Sequence, residues 1–148
     1  MLQQTLKRKK KKLRTDLLLI SYDTLPQEEK HDTLAEIRIK LRKIFKNHIG
    51  KNNSISPFEL FQKVFDENPE NVDFFKRRFW WEVINEVLTR MRQDGDVFVI
   101  NARHSLYVLQ SQDEADIYKK RLDSTIVALE GSKKRADEWV RNKKWRNI

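Results

Sequence analysis

The chain has 148 residues, 39% of them hydrophobic and 36% charged, with a formal net charge of +9, three Gly, three Pro and no Cys. That length is one domain's worth, able to hide roughly 68–70% of its unfolded surface, and so few turn formers favour a mainly α (α+β) fold over a turn-rich sheet. The missing cysteines exclude a disulfide, a thiolate metal site and a Cys nucleophile, and they suit a reducing, intracellular compartment.

The positive charge sits at the ends. Residues 1 to 14 hold Lys7, Arg8, Lys9, Lys10, Lys11, Lys12 and Arg14 without one acid. Like charges at this density repel one another and bury nothing, so the segment is expected to be a disordered, solvated arm that contacts nucleic acid. It would serve as a nuclear import signal in a eukaryote, or hold the protein to the nucleoid in a bacterium or phage. Residues 133 to 148 carry seven basic and two acidic residues, and the middle carries 17 basic and 20 acidic ones, a net of −3.

Leu17 to Ile20, LLLI, is the longest apolar run near the N-terminus. A signal peptide needs about 7–15 apolar residues and a membrane span about 20, so a soluble protein without a membrane partner is expected. The segment closes at Leu25-Pro26 and reads as a strand or an extended strap over the core. A folded domain is expected over 21–110, followed by a C-terminal helix with a basic tail over 111–148.

From Pro26 to Ile49, Leu34, Ile37, Leu41, Ile44, Phe45 and Ile49 recur three or four apart, which predicts an amphipathic helix stopped by Gly50. A polar linker, KNNS, follows. SPFE at Ser56 to Glu59 combines a Ser N-cap, Pro at the first helical position and Glu three residues after the Ser, a capping box. It opens a second helix from about Pro57 to Glu67 that buries Phe58 or Leu60 with Phe61, Val64 and Phe65. NPEN, Asn68 to Asn71, is a turn before a third helix from about Val72 to Gln93, ended by Gly95. Val97 to Ile100 and Leu106 to Leu109 are β-rich runs joined by a polar loop, predicting a hairpin within Asp96 to Gln110. SQDE at Ser111 to Glu114 is a second capping box, opening a helix that runs nearly to the C-terminus.

On a helical wheel the third helix gathers Phe75, Phe79, Trp80, Val83, Ile84, Val87 and Met91 along one broad side. Arg78, Glu82, Asn85, Thr89 and Arg92 occupy the other, with Phe74 and Trp81 on its flank. Lys76 and Arg90 fall in or beside the apolar arc, so either the buried face is narrower than this or both side chains snorkel. Arg77 and Arg78 lie at the N-terminal end, where the helix dipole also favours an anion.

VLTRMRQDGDVFVINARHSLYVL has an apolar pair near the helix end (Leu88, Met91), an acidic-Gly turn (Asp94-Gly95), one strand, and a second strand with Tyr107 before Leu109. With the helices before it, over about residues 30 to 110, this resembles the winged helix-turn-helix superfamily. The resemblance implies a duplex DNA-binding, transcription-associated factor whose third helix enters the major groove and whose hairpin wing touches the backbone. Carried over, it implies base-edge roles for Arg78, Asn85 and Glu82, and phosphate roles for Arg77, Arg92, Arg103 and His104, with Trp81 beside them. Arg reads guanine, Asn adenine, and Glu accepts from cytosine. Asp73, Glu82 and Glu86 on the same helix repel phosphate, which favours the alternative of a protein-docking module in a polymerase, replication or chromatin complex. A third reading is an RNA or ribonucleoprotein binder, with the tails on phosphates and Trp145 stacking on bases.

In the last helix, Ala115, Tyr118, Leu122, Thr125, Leu129, Ser132, Ala136 and Trp139 follow the 3-4 spacing of a coiled-coil seam, so a homodimer through 112–140 is an expected partner. Lys143, Lys144 and Arg146 add a basic tail for phosphates. No phosphate-cradling or nucleophile motif occurs, and His31, His48 and His104 lie in three separate elements. No enzyme activity, metal or cofactor is expected.

Overall fold

The computed structural model describes residues 13–147. The basic arm from Lys7 to Lys12 lies outside the described residues. The chain divides after Val108 into two units.

In the first unit the chain enters through two 3₁₀ turns, Leu17–Leu19 and Tyr22–Thr24, where a strand or an extended strap was expected. Leu17 is completely buried. Tyr22 meets Phe79 and Trp80 at ring-centroid distances of 5.7 and 6.0 Å, so this segment belongs to the core.

Helix α1, Gln27–Phe45, carries Glu28 and Glu29 in its first turn and Arg42 and Lys43 in its last, both favourable to the helix dipole. It buries the expected Ile37, Leu41 and Phe45, leaves Leu34 and Ile44 half-buried, adds Thr33 and Glu36, and packs on α2 and α3. It ends four residues before Ile49, the expected last turn. The reason is a competing use of the backbone: the His48 carbonyl accepts from Val108 N–H, and Gly50 N–H donates to the Val108 carbonyl. Gly50 makes that bend at φ 84°, a conformation that costs side chains with a Cβ.

The KNNS linker contains a 3₁₀ turn, Lys51–Asn53, and leads to Ile55. Ile55 exchanges both backbone hydrogen bonds with Leu106, at 2.9 and 2.8 Å, and is itself buried. Helix α2, Pro57–Phe65, starts as its capping box predicts, with Ser56 Oγ accepting from Glu59 N–H at 3.2 Å. It buries Leu60, Phe61, Val64 and Phe65 and leaves Phe58 outside. Asp66, at φ 53°, ends it two residues earlier than expected.

A 3₁₀ turn at Pro69–Asn71 leads to helix α3, Phe74–Gln93, capped by Asp73, whose carboxylate accepts from Lys76 N–H. Trp80, 1% exposed, sits at its centre against Phe65 and Phe79. Phe75, expected in the core, is 77% exposed. It lies in the first turn, ahead of Trp80 where full burial begins, and its ring meets only the neighbouring Phe74 among the described aromatic pairs. Lys76 and Arg90 are both exposed, so the buried face is the narrower one, and Leu88 joins it.

Strands β1, Val99–Ala102, and β2, Ser105–Val108, form the antiparallel hairpin with Val99 opposite Val108 and Ala102 opposite Ser105. Pairing starts two residues later than expected at β1 and runs out to a two-residue turn at Arg103 and His104. Arg38 and Arg42 from α1 clamp the turn before β1: Arg38 bonds Asp94 at 2.8 Å and Asp96 at 3.0 Å, and Arg42 bonds Asp96. Arg42, with Arg38 beside it, holds the Asp96 carboxyl below the ordinary carboxylate range.

In the second unit, Ser111 Oγ accepts from Glu114 N–H at 3.2 Å and opens helix α4, Gln112–Arg141. Its 30 residues span about 45 Å, and none is buried. A 3₁₀ turn at Lys144–Asn147 follows. Among the described residues the protein is thus mainly helical, with one small antiparallel hairpin.

Candidate nucleic-acid interface

The expected site residues on α3 fall into two kinds. Arg78 and Glu82 stand in solvent, their side chains 69% and 68% exposed, with 3.5 Å between guanidinium and carboxylate one turn apart. An exposed pair of this sort contributes about 0.3–0.5 kcal/mol, so Arg78 can leave it for another anion at little cost. One turn further, Asn85 Oδ1 accepts from Asn101 Nδ2 at 3.4 Å, tying the open edge of α3 to β1. Arg103 and His104 are exposed at the hairpin tip.

Arg77 and Arg92 are already engaged. Arg77 Nη1 donates to the Pro69 carbonyl at 3.2 Å, and its guanidinium lies 5.8 Å from the Phe74 ring centre. Arg92 Nη1 donates to the Val99 carbonyl at 2.9 Å and Nη2 to Thr89 Oγ1 at 3.3 Å. Arg77 therefore secures the turn before α3, and Arg92 secures the hairpin after it. Spacing along the helix accounts for the Arg92–Thr89 contact alone, because the Pro69 and Val99 carbonyls are brought close only by folding.

Trp81 is half-buried and faces a groove of about 470 Å³ between the N-terminal ends of α2 and α3 and the Pro69–Asn71 turn. Phe58, Phe61, Phe74 and Trp81 make its apolar walls, and Arg77 and Arg78 stand at its edge. Phe58 and Phe74 remain 44% and 56% exposed. The sequence reading missed this groove, although Phe58 and Phe74, two aromatics just inside helix starts, were its visible signal.

Arg14, counted with the arm, has a different setting. Its backbone N–H donates to Glu36 Oε2 at 3.4 Å, and its guanidinium lies 3.7 Å from Glu36 Oε1, with Glu36 buried on α1. It anchors the entry of the chain to the core, so Arg14 does not belong to a solvated arm. In the tail, Lys143, Lys144 and Arg146 are all exposed, and the Arg146 guanidinium lies 5.1 Å from the Trp145 ring centre.

Among the described residues no group of three His, Asp or Glu converges as a metal-ligand set, and no helix is long and apolar enough to cross a membrane. No protein-family model, curated protein or solved structure matches this chain.

Proposed function

We propose that this protein binds duplex DNA as a winged helix-turn-helix factor, with α3 as the reading helix and the β1–β2 hairpin as the wing. The observation that carries this reading is the row on α3 of exposed Arg78 and Glu82 and half-buried Asn85, bordered by a hairpin whose tip holds Arg103 and His104. The order of elements supports it further, since Ile55 between α1 and α2 pairs with β2 as a third short strand would. Arg78 and Asn85 supply bidentate donors and acceptors for purine edges, and Glu82 an acceptor for cytosine. Arg103 and His104 contact phosphates. The basic arm and tail add sequence-independent affinity through counterion release. Arg77 and Arg92, the other two arginines expected at phosphates, also hold α3 and the wing in place through the Pro69 and Val99 carbonyls. A transcription-associated role in the nucleus, or at the nucleoid of a bacterium or phage, follows from this reading.

The test is selection of the full chain on a random duplex library at two salt concentrations. Arg78→Ala is expected to relax preference at one position by about 1–3 kcal/mol, while leaving salt-dependent non-specific binding in place. Unchanged preference and affinity in both Arg78→Ala and Asn85→Ala would overturn the reading.

A second reading is favoured by the apolar groove beside Trp81 and by Glu82 next to Arg78: the same fold used as a protein-docking module in a larger assembly. Trp81→Ala then releases a protein partner and leaves DNA binding as it was.

A further inference from the structure

Helix α4 has 30 residues and no buried side chain, which is an unstable arrangement for a helix standing alone, because most helical stability in proteins comes from packing an apolar face. It does have such a face. Leu122, Ile126, Leu129, Trp139 and Val140 are exposed, Leu129 at 59%, and together with Tyr118 they lie along one side.

The acids show the stronger pattern. Asp116, Asp123, Glu130 and Asp137 recur every seven residues through four consecutive heptads, always one position after Ala115, Leu122, Leu129 or Ala136. A strict seven-residue repeat departs from the helix's own 3.6-residue turn and keeps one side toward a partner only if two helices supercoil. The repeat places Ala115, Leu122, Leu129 and Ala136 in one core row and Tyr118, Thr125, Ser132 and Trp139 in the other.

Charge selects the partner. Gln112–Arg141 carries seven basic and seven acidic side chains, so the helix is neutral and does not repel its own copy. In a parallel, in-register pair the flanking positions meet as Glu114 with Lys119, Arg121 with Ile126, Ala128 with Lys133 and Arg135 with Val140. No like charges face one another. An antiparallel pair with its ends aligned instead brings Lys119 toward Lys133 and Arg121 toward Arg135, two like-charge contacts.

We propose that α4 pairs with α4 of a second copy of this chain as a parallel, in-register two-stranded coiled coil. Thr125 and Ser132 in its core weaken it and penalise slipped registers, as polar core residues do in such pairs. The inference stands apart from the DNA reading. Where both hold, the dimer presents two reading units to one duplex and suits a two-fold symmetric site.

The chain's lack of cysteine allows a clean test on the full-length protein. Ala115→Cys and Ala136→Cys, oxidised separately, are each expected to cross-link to their own copy, while the off-seam control Val127→Cys stays uncross-linked. Cross-linking only in a mixture of Ala115→Cys with Trp139→Cys means an antiparallel pair and overturns the proposal. Sedimentation equilibrium gives an independent reading: twice the chain mass for wild type, and the single-chain mass for Leu122→Lys with Leu129→Lys. A wild type of single-chain mass at every concentration overturns it as well.

Discussion

Helices α2 and α4 begin in the same way and end up in opposite environments. Ser56 and Ser111 each accept a backbone N–H three residues on, at 3.2 Å in both cases. Yet α2 buries four of its nine residues, and α4 none of its 30. A cap satisfies the same orphan donor wherever the helix goes, so it decides where a helix starts and nothing about what covers it. Coverage follows from apolar density: α2 places Leu60, Phe61, Val64 and Phe65 within six residues, enough to close a core with α1 and α3. The seam of α4 is thinner and interrupted by Thr125 and Ser132, and suits another long helix better than a globular core.

That contrast breaks most visibly at tryptophan. Trp80→Ala removes the centre of the core and is expected to cost about 3–5 kcal/mol in denaturant unfolding of the full chain. Trp139→Ala on α4 should leave the same transition within about 0.5 kcal/mol. Equal losses for the two would mean that α4 is integral to the core.

Capping gives a smaller and more selective effect. Ser56→Ala is expected to destabilise the first unit by about 1 kcal/mol, because α2 is part of that cooperative core. Ser111→Ala should lower the helical circular dichroism signal while leaving the first unit's midpoint unchanged.

Acid sharpens the comparison at its finest scale. The Asp96 carboxyl is held below its ordinary value by Arg42 first and Arg38 second. A depressed folded pKa contributes stability above the unfolded value of about 3.9, and that stability is lost as pH falls through the lower folded one. The first unit should therefore weaken below about pH 4, with a shallower pH slope in Asp96→Asn. Asp116 on α4 is lowered as well, by Gln112 first and then Lys119. Its protonation should reduce helicity in the same range without moving the first unit's midpoint.

Much of this architecture was legible in the residues. Both capping boxes, the order of the helices, the hairpin and the burial of Trp80 follow from signals contained within a few residues. Short-range hydrogen bonds and hydrophobic periodicity need no knowledge of the rest of the chain. What stayed hidden depends on partners distant in sequence. The periodicity through Ile49 ran on past Phe45, but the helix gives up its last turn there because Val108, far along the chain, takes the backbone groups of His48 and Gly50. Ile55 was an unremarkable single apolar residue in a polar linker until folding set it against the core and β2.

The candidate site divides along the same line. The row of Arg78, Glu82 and Asn85 could be drawn on a helical wheel, because helix geometry alone sets which side chains share a face; the half-burial of Asn85 against β1 could not. Which arginines remain available on it could not. Arg77 and Arg92 stand on the same helix as Arg78, but unlike it they find the carbonyls of Pro69 and Val99 within reach. A guanidinium's commitment is set by whichever acceptor the tertiary fold brings to about 3 Å, and that distance is written in no local stretch of sequence.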